Sequence, residues 1–214
     1  TTQQTYQSGA VMMDRNMGAL NVQENDPWAN GLFYLWGRKD PMCGAISSNS
    51  FAQTYPANIF TRDVTNSITE AIQNPTHFGN TPWSTDNTLW ASVKTKYDPC
   101  PAGWRISDFA AWEGLDNWSL CQDYLTAYTP TSTVYFPTAG YSDGAEYIDN
   151  LNSGAYFWLT EYRRYIDMYW DRIPYMDWSR DVDYLHSVRC MKDDPDKNGD
   201  NEDYTEGDDY EWND

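Results

Sequence analysis

The chain is poor in the residues that most often carry chemistry. It has two histidines, four cysteines, and 14 Lys and Arg against 32 Asp and Glu. No two cysteines form CxxC, and only His77 and His186 could assist Cys43, Cys100, Cys121 and Cys190, so zinc is not indicated. There is no GxSxG, HExxH, P-loop or GxGxxG. Carboxylates are plentiful, but no pair stands out at a spacing that argues for glycosidase chemistry, and no enzymatic role is expected. No apolar run approaches the roughly 18 residues of a membrane span. The opening TTQQTYQSGA lacks the basic start and apolar core of a signal peptide, which suggests a mature or excised piece of a longer protein. The net charge of −18 repels phosphate backbones, so nucleic acid is not an expected partner.

That charge is uneven. Asp193 to Asp214 holds 11 acids and one Lys, a solvated or disordered acidic end by composition. With 214 residues the chain can bury a sizeable core. Eleven tryptophans alongside a mean hydropathy of −0.77 suggest a loop-rich domain packed by aromatics, not a helical bundle. Residues 1–9 read as a linker or the stub of an upstream region, 10–193 as the domain, and 194–214 as an acidic tail.

What the chain has in abundance is concentrated near its end. Between Ala155 and His186, 10 of 32 residues are aromatic and another 10 are charged. Tyr, Trp and Arg give large contact area at low entropy cost and dominate binding hot spots. The stretch therefore reads as a binding surface, against the plainer reading of ordinary amphipathic elements. Its period is ambiguous. Tyr162, Tyr165, Ile166, Tyr169 and Trp170 make a helical stripe, while Ile166, Met168 and Trp170 also alternate with Tyr165, Asp167 and Tyr169 as in a strand.

Elsewhere, AVMMDRNMGAL (Ala10–Leu20) predicts a short strand and turn, and FYLW (Phe33–Trp36) a buried strand or short helix. Pro41 to Pro82 is rich in Ser, Asn, Thr and Pro and reads as loop. Asp86 to Lys96 predicts a short helix capped by Asp86. Ser107 to Leu115 predicts a second, capped by Ser107, with Phe109, Trp112 and Leu115 on its apolar face. Trp104–Ile106, Val134–Gly140 and Ser187–Met191 predict strands. An even cysteine count permits two disulfides in three possible pairings, or four unpaired buried thiols.

Six motifs occur in one order: MDRNMGA (Met13–Ala19), FYLWGRKDP (Phe33–Pro41), YDPCPAGWRIS (Tyr97–Ser107), YFPTAGY (Tyr135–Tyr141), GAYFWLT (Gly154–Thr160) and SVRCMKD (Ser187–Asp193). Together they resemble the major paralogous-type domain of surface proteins of gut Bacteroidetes and Fibrobacter. That domain is found at the C-terminus of fimbrillin-type (type V) pilus tip proteins and related lipoproteins. The resemblance covers Ala10 to Asp193. It implies an α+β, C-type lectin-like fold: a small twisted antiparallel sheet, two helices and a large irregular loop content. It also implies kinship with the variable proteins diversified by retroelements, whose variable segment would correspond to Tyr156–His186. The family's Tyr-Trp-Ser-Ser-Thr stands here as Tyr156-Phe157-Trp158-Leu159-Thr160.

The resemblance places Ile166, Met168 and Trp170 on a strand facing in. Tyr162, Arg163, Arg164, Tyr165, Asp167, Tyr169, Tyr175, Asp177, Trp178 and Arg180 become the candidate ligand-binding surface. Cys100 and Cys190 match the family's positions near the sheet and are expected to form a disulfide, leaving Cys43 with Cys121 by elimination. The same fold class contains formylglycine-generating enzymes, but no metal or substrate motif accompanies these cysteines. Trp212-Asn213-Asp214 matches a lectin calcium motif only in letters, because it lies beyond the last cysteine. The alternating oxygens of Asp194, Asp196, Asn198 and Asp200 offer at most a weak calcium site, and no other cofactor is expected. The implied role is a cell-surface or extracellular adhesin domain binding a host or bacterial surface protein or glycan, with pilus subunits as neighbours. The alternative is a structural pilus or envelope module.

Overall fold

The apolar runs of the sequence become strands. The computed structural model describes residues 3–23, 26–44, 61–62, 77–78, 86–115, 118–121, 124–128, 132–142, 148–169, 172–177 and 184–194. Six strands form a central sheet in the order β13 (Arg172–Asp177), β12 (Tyr165–Tyr169), β11 (Gly154–Trp158), β14 (Leu185–Ser187), β3 (Leu32–Leu35) and β4 (Cys43–Gly44). Neighbours are antiparallel except β11 and β14, which run parallel with Phe157 opposite Ser187. A four-stranded sheet has the order β1 (Gln3–Thr5), β2 (Val11–Met13), β15 (Cys190–Lys192) and β7 (Trp104–Ile106). A third sheet is a meander of β10 (Thr133–Pro137), β9 (Tyr124–Tyr128) and β8 (Trp118–Cys121), and β5 (Thr61–Arg62) pairs in parallel with β6 (His77–Phe78).

The expected α+β class, with its C-type lectin-like fold and two helices, does not hold. Among the described residues the only helical segments are two 3-10 turns, at Pro27–Ala29 and Phe109–Trp112. Local propensity gave way to tertiary demands at both predicted helices. At 86–96, the Asp86 carboxylate accepts from the Thr88 amide at 2.9 Å, which makes a turn and not a helix cap. Trp90 is buried there, with its indole N–H donating to the Tyr97 carbonyl at 2.8 Å. At 107–115 the cap is Asp108, accepting from the Ala111 amide at 3.1 Å. The Ser107 hydroxyl instead accepts from the Trp112 indole at 3.0 Å, and the helical conformation ends at Trp112. Trp112 and Leu115 are buried as expected, but from one short turn.

The central sheet is covered on both faces at β11, where all five residues of GAYFW are buried. Ala155, Phe157, Ile166 and Met168 pack with Tyr6, Met12, Trp112 and Phe136 where the three larger sheets meet. Tyr156, Trp158 and Tyr165 belong to the second cluster, with Phe33, Trp36, Trp90 and Leu185. Residues 3–5, within the segment read as a linker or stub, pair with β2, and Tyr6 next to them is buried against Trp112 and Phe136.

Most of the ordered motifs serve this framework. Arg189, fully buried, donates to the Asn16 side-chain oxygen at 3.0 and 2.7 Å, to the Met13 carbonyl at 3.2 Å and to the Tyr135 carbonyl at 3.3 Å. The Asp98 carboxylate accepts from the amides of Cys100 and Ile106 at 2.8 and 2.9 Å and from the Lys94 ammonium at 3.2 Å. Burial pushes the Asp98 carboxyl up and the Lys94 ammonium down from their ordinary values. Gly103, at φ 75°, completes the turn in which the Trp104 amide donates to the Pro101 carbonyl.

Cys100 and Cys190 are bonded, their Cα atoms 5.9 Å apart, as the resemblance implied. The expected pairing of Cys43 with Cys121 lies outside the described side chains. The bond joins residues 90 apart in sequence. Replacing both cysteines by serine is expected to lower stability by about 4 kcal/mol in the chain-entropy model. Urea unfolding of the variant at constant ionic strength checks this, and a loss below 1 kcal/mol would mean that the unfolded chain is already held together in that region.

Candidate functional site

The β11–β12 hairpin separates the predicted binding residues into three groups. Its register sets Trp158 opposite Tyr165, Tyr156 opposite Asp167 and Gly154 opposite Tyr169. At one end lies the turn of Glu161 to Arg164, closed by the Arg164 amide donating to the Glu161 carbonyl at 3.0 Å. Tyr162, Arg163 and Arg164 sit there, all half-buried. Tyr162 packs edge-on against Trp36, with ring centres 4.9 Å apart. Glu161 is fixed by the Phe109 amide, which donates to its carboxylate at 3.1 Å.

In the middle, Tyr165 and Asp167 are 0% and 5% exposed, so these two do not belong to a surface. The alternation holds where it is described: Ile166 and Met168 lie in one cluster and Tyr165 in the other, while Trp170 lies outside the described residues. A second packed layer on the Tyr165 side, formed partly by segments far away in sequence, removes the exposure. Tyr169, at the far end, is half-buried. Tyr175 and Asp177 lie on β13 opposite Asp167 and Tyr165. Trp178 and Arg180 lie outside the described residues, as do Asp196, Asn198 and Asp200. Asp194 is exposed just beyond β15. Among the described residues no three His, Cys, Asp or Glu side chains come together as metal ligands.

A group not selected from the sequence runs from the middle of the hairpin to its far end. His186 is fully buried beneath rings from several segments. Its ring centre is 4.3 Å from Trp158, 4.7 Å from Tyr165, 5.8 Å from Tyr156, 5.8 Å from Tyr141 and 6.2 Å from Tyr184. Tyr141 and Tyr184 are half-exposed, 5.8 Å apart and tilted by 32°. Tyr141 meets Tyr156 edge-on at 4.8 Å. The Tyr156 hydroxyl reaches the exposed Asn150, whose side-chain amide donates to it at 2.6 Å. Burial, then Asp167, pushes the Tyr156 phenol well above its ordinary value.

Two glycines make this cluster possible. A Cβ on Gly154 would lie 2.8 Å from Tyr156 Cε2 and 3.1 Å from Tyr169 Cδ2, so the two rings close over the bare backbone. Gly140, at φ 72°, bridges to Ala155 and brings Tyr141 beside Tyr156; a side chain there would run into the Asp149 carbonyl. The available signal was the YFPTAGY motif, whose glycine immediately precedes Tyr141. Tyr184 was inside the aromatic stretch, but only the parallel pairing of β14 with β11 shows which end it occupies.

No protein-family model, curated protein or solved structure matches this chain. Among the described residues no helix is long and apolar enough to cross a membrane.

Gly154→Ala is expected to push the Tyr156 and Tyr169 rings outward and to cost about 1–3 kcal/mol, read as a lower urea midpoint. An unchanged midpoint with unchanged tyrosine spectra would show that the rings do not depend on the bare backbone. A pH test addresses the buried phenols. Burial pushes Tyr6 up to about 12, and pushes Tyr34 and Tyr156 up as well. A raised folded value means full stability below the unfolded value near 10, lost as pH rises through the folded one. From about pH 10 to about 12, stability should therefore fall, by about 2–3 kcal/mol from Tyr6 alone. Tyrosinate absorbance followed together with unfolding checks this, and three phenols ionising near pH 10 without unfolding would contradict it.

Proposed function

We propose that the chain is a surface-displayed binding domain of the adhesin type, belonging with the pilus-tip and surface-lipoprotein domains that its motifs resemble. It would hold a protein or glycan through side chains at the two ends of the β11–β12 hairpin, with no covalent chemistry. The observation that carries this reading is the turn at Arg163. Its φ is 63°, a left-handed conformation that costs a non-glycine residue roughly 1–2 kcal/mol. The flanking residues are held firmly, Glu161 by Phe109 and Tyr162 by Trp36. A rigid turn that keeps an arginine where glycine would be easier fits a residue retained for contact. The Cys100–Cys190 bond suits an oxidising, exported setting.

The structural-module reading has one observation in its favour. Tyr165 and Asp167, from the middle of the aromatic stretch, are buried. Arg163→Gly separates the two readings. It is expected to leave stability unchanged or raise it by up to about 1 kcal/mol through relief of strain, while reducing adhesion of chain-coated beads to bacterial or host cell surfaces. Raised stability with undiminished adhesion at every surface tried would favour the structural module.

A further inference from the structure

The Gly154 end of the hairpin has a chemistry of its own. The β11 and β14 pairing, the Gly140–Ala155 bridge and the Ser142–Leu185 bridge bring Tyr141, Tyr156, Tyr169 and Tyr184 to one end of the sheet. Three of these are half-exposed, and the hydroxyl of the fourth meets exposed Asn150. Behind them lies the Asp167 carboxylate, opposite Tyr156 in register and 5% exposed. We propose that this tyrosine rim receives a cationic side chain, Arg or Lys, of a partner protein. The inference deepens the binding reading above by naming the partner's chemistry.

Aromatic faces carry negative charge density and attract guanidinium and ammonium groups lying over them, more strongly where water is displaced. A carboxylate in the low-dielectric layer beneath adds to the same potential. Burial, and after it the Asp167 carboxylate, pushes the Tyr156 phenol up, in keeping with a negative group close to the rim. A net charge of −18 also draws basic partners toward the surface and speeds their encounter. Sugar rings stack on tyrosine too, but they gain nothing from this field. A neutral saccharide is therefore the competing outcome of the test.

The probe is N-acetyl-arginine amide, titrated into the full chain and followed by tyrosine proton shifts in NMR. N-acetyl-citrulline amide, which has nearly the same shape without charge, is the control, and methyl glycosides are run in parallel. Shifts at Tyr141, Tyr169 and Tyr184 are expected with arginine only. Tyr184→Leu should weaken binding about three-fold and Tyr184→Phe should leave it nearly intact, because the ring and not the hydroxyl supplies the attraction. Near-ultraviolet circular dichroism confirms that each variant is folded. Equal binding of citrulline, binding of a glycoside without arginine, or an unaffected Tyr184→Leu variant would overturn the inference. If Arg163→Gly abolishes cell-surface adhesion while arginine amide leaves the rim unmoved, the binding reading stands and the cationic partner does not.

Discussion

The fold turns on a buried guanidinium. Arg189 lies where the chain passes from β14 in the central sheet to β15 in the four-stranded one. Its charge is taken up by the Asn16 side chain and by carbonyls of Met13 and Tyr135, with Phe136 and Phe157 stacked 5.0 and 5.7 Å away. Burial lowers its affinity for a proton, yet an arginine remains charged, so every one of these partners is needed. Lysine could not replace it, since an ammonium has no planar fork to span a side chain and two separate carbonyls. Backbone bonds on either side reinforce the crossing: Met17 donates to the Val188 carbonyl and Ser107 to the Arg189 carbonyl. Sheets that share one continuous core need a fixed angle between them. Directional bonds at the crossing fix it where apolar packing alone would tolerate rotation.

Once the sheets are locked, β11 and most of β12 in the central sheet have water on neither face, and this decides how their residues must be read. A strand covered on one side writes alternation into its sequence, whereas one covered on both sides writes a run. GAYFW is such a run, and so is the following strand, where Tyr165, Ile166, Asp167 and Met168 are all buried. Aromatics with polar tips suit the second face. The Trp158 indole donates to the Tyr34 carbonyl at 2.8 Å and the Trp36 indole to the Leu159 carbonyl at 3.0 Å, so their rings can be buried without an unsatisfied donor.

The strands around Val11, Trp104, Val134 and Cys190 were legible, because short apolar runs bounded by glycine and proline leave little choice, whereas Phe33–Trp36 read equally as strand or short helix. The motifs also made the Cys100–Cys190 bond legible. The sequence misled at Ser107 and Asp86, where a good capping residue preceded apolar spacing of helical type. Both carboxylate and hydroxyl side chains cap turns as readily as helices, and the spacing does not record that the buried indoles of Trp90 and Trp112 bond to Tyr97 and Ser107, seven and five residues away. The exposure of Tyr165 and Asp167 was illegible for a related reason. Alternation tells which residues share a face, but the cluster that Tyr165 joins also draws on Leu89, Trp90, Ile148 and Leu151, in other parts of the chain.

Burial of the hairpin's middle leaves only its ends available for contact, and both ends contain left-handed backbone. Arg163 lies at the turn, and Asn150 and Asn152, with φ of 54° and 64°, lie beside the tyrosine rim. Asparagine tolerates this conformation because its short amide can bond locally, and Asn150 uses its amide on the Tyr156 hydroxyl. Arginine is not among the residues that visit this conformation routinely. The two ends thus differ in kind. One is a shaped aromatic shelf whose backbone is suited to its residues, and the other is a rigid turn whose residue sits against backbone preference.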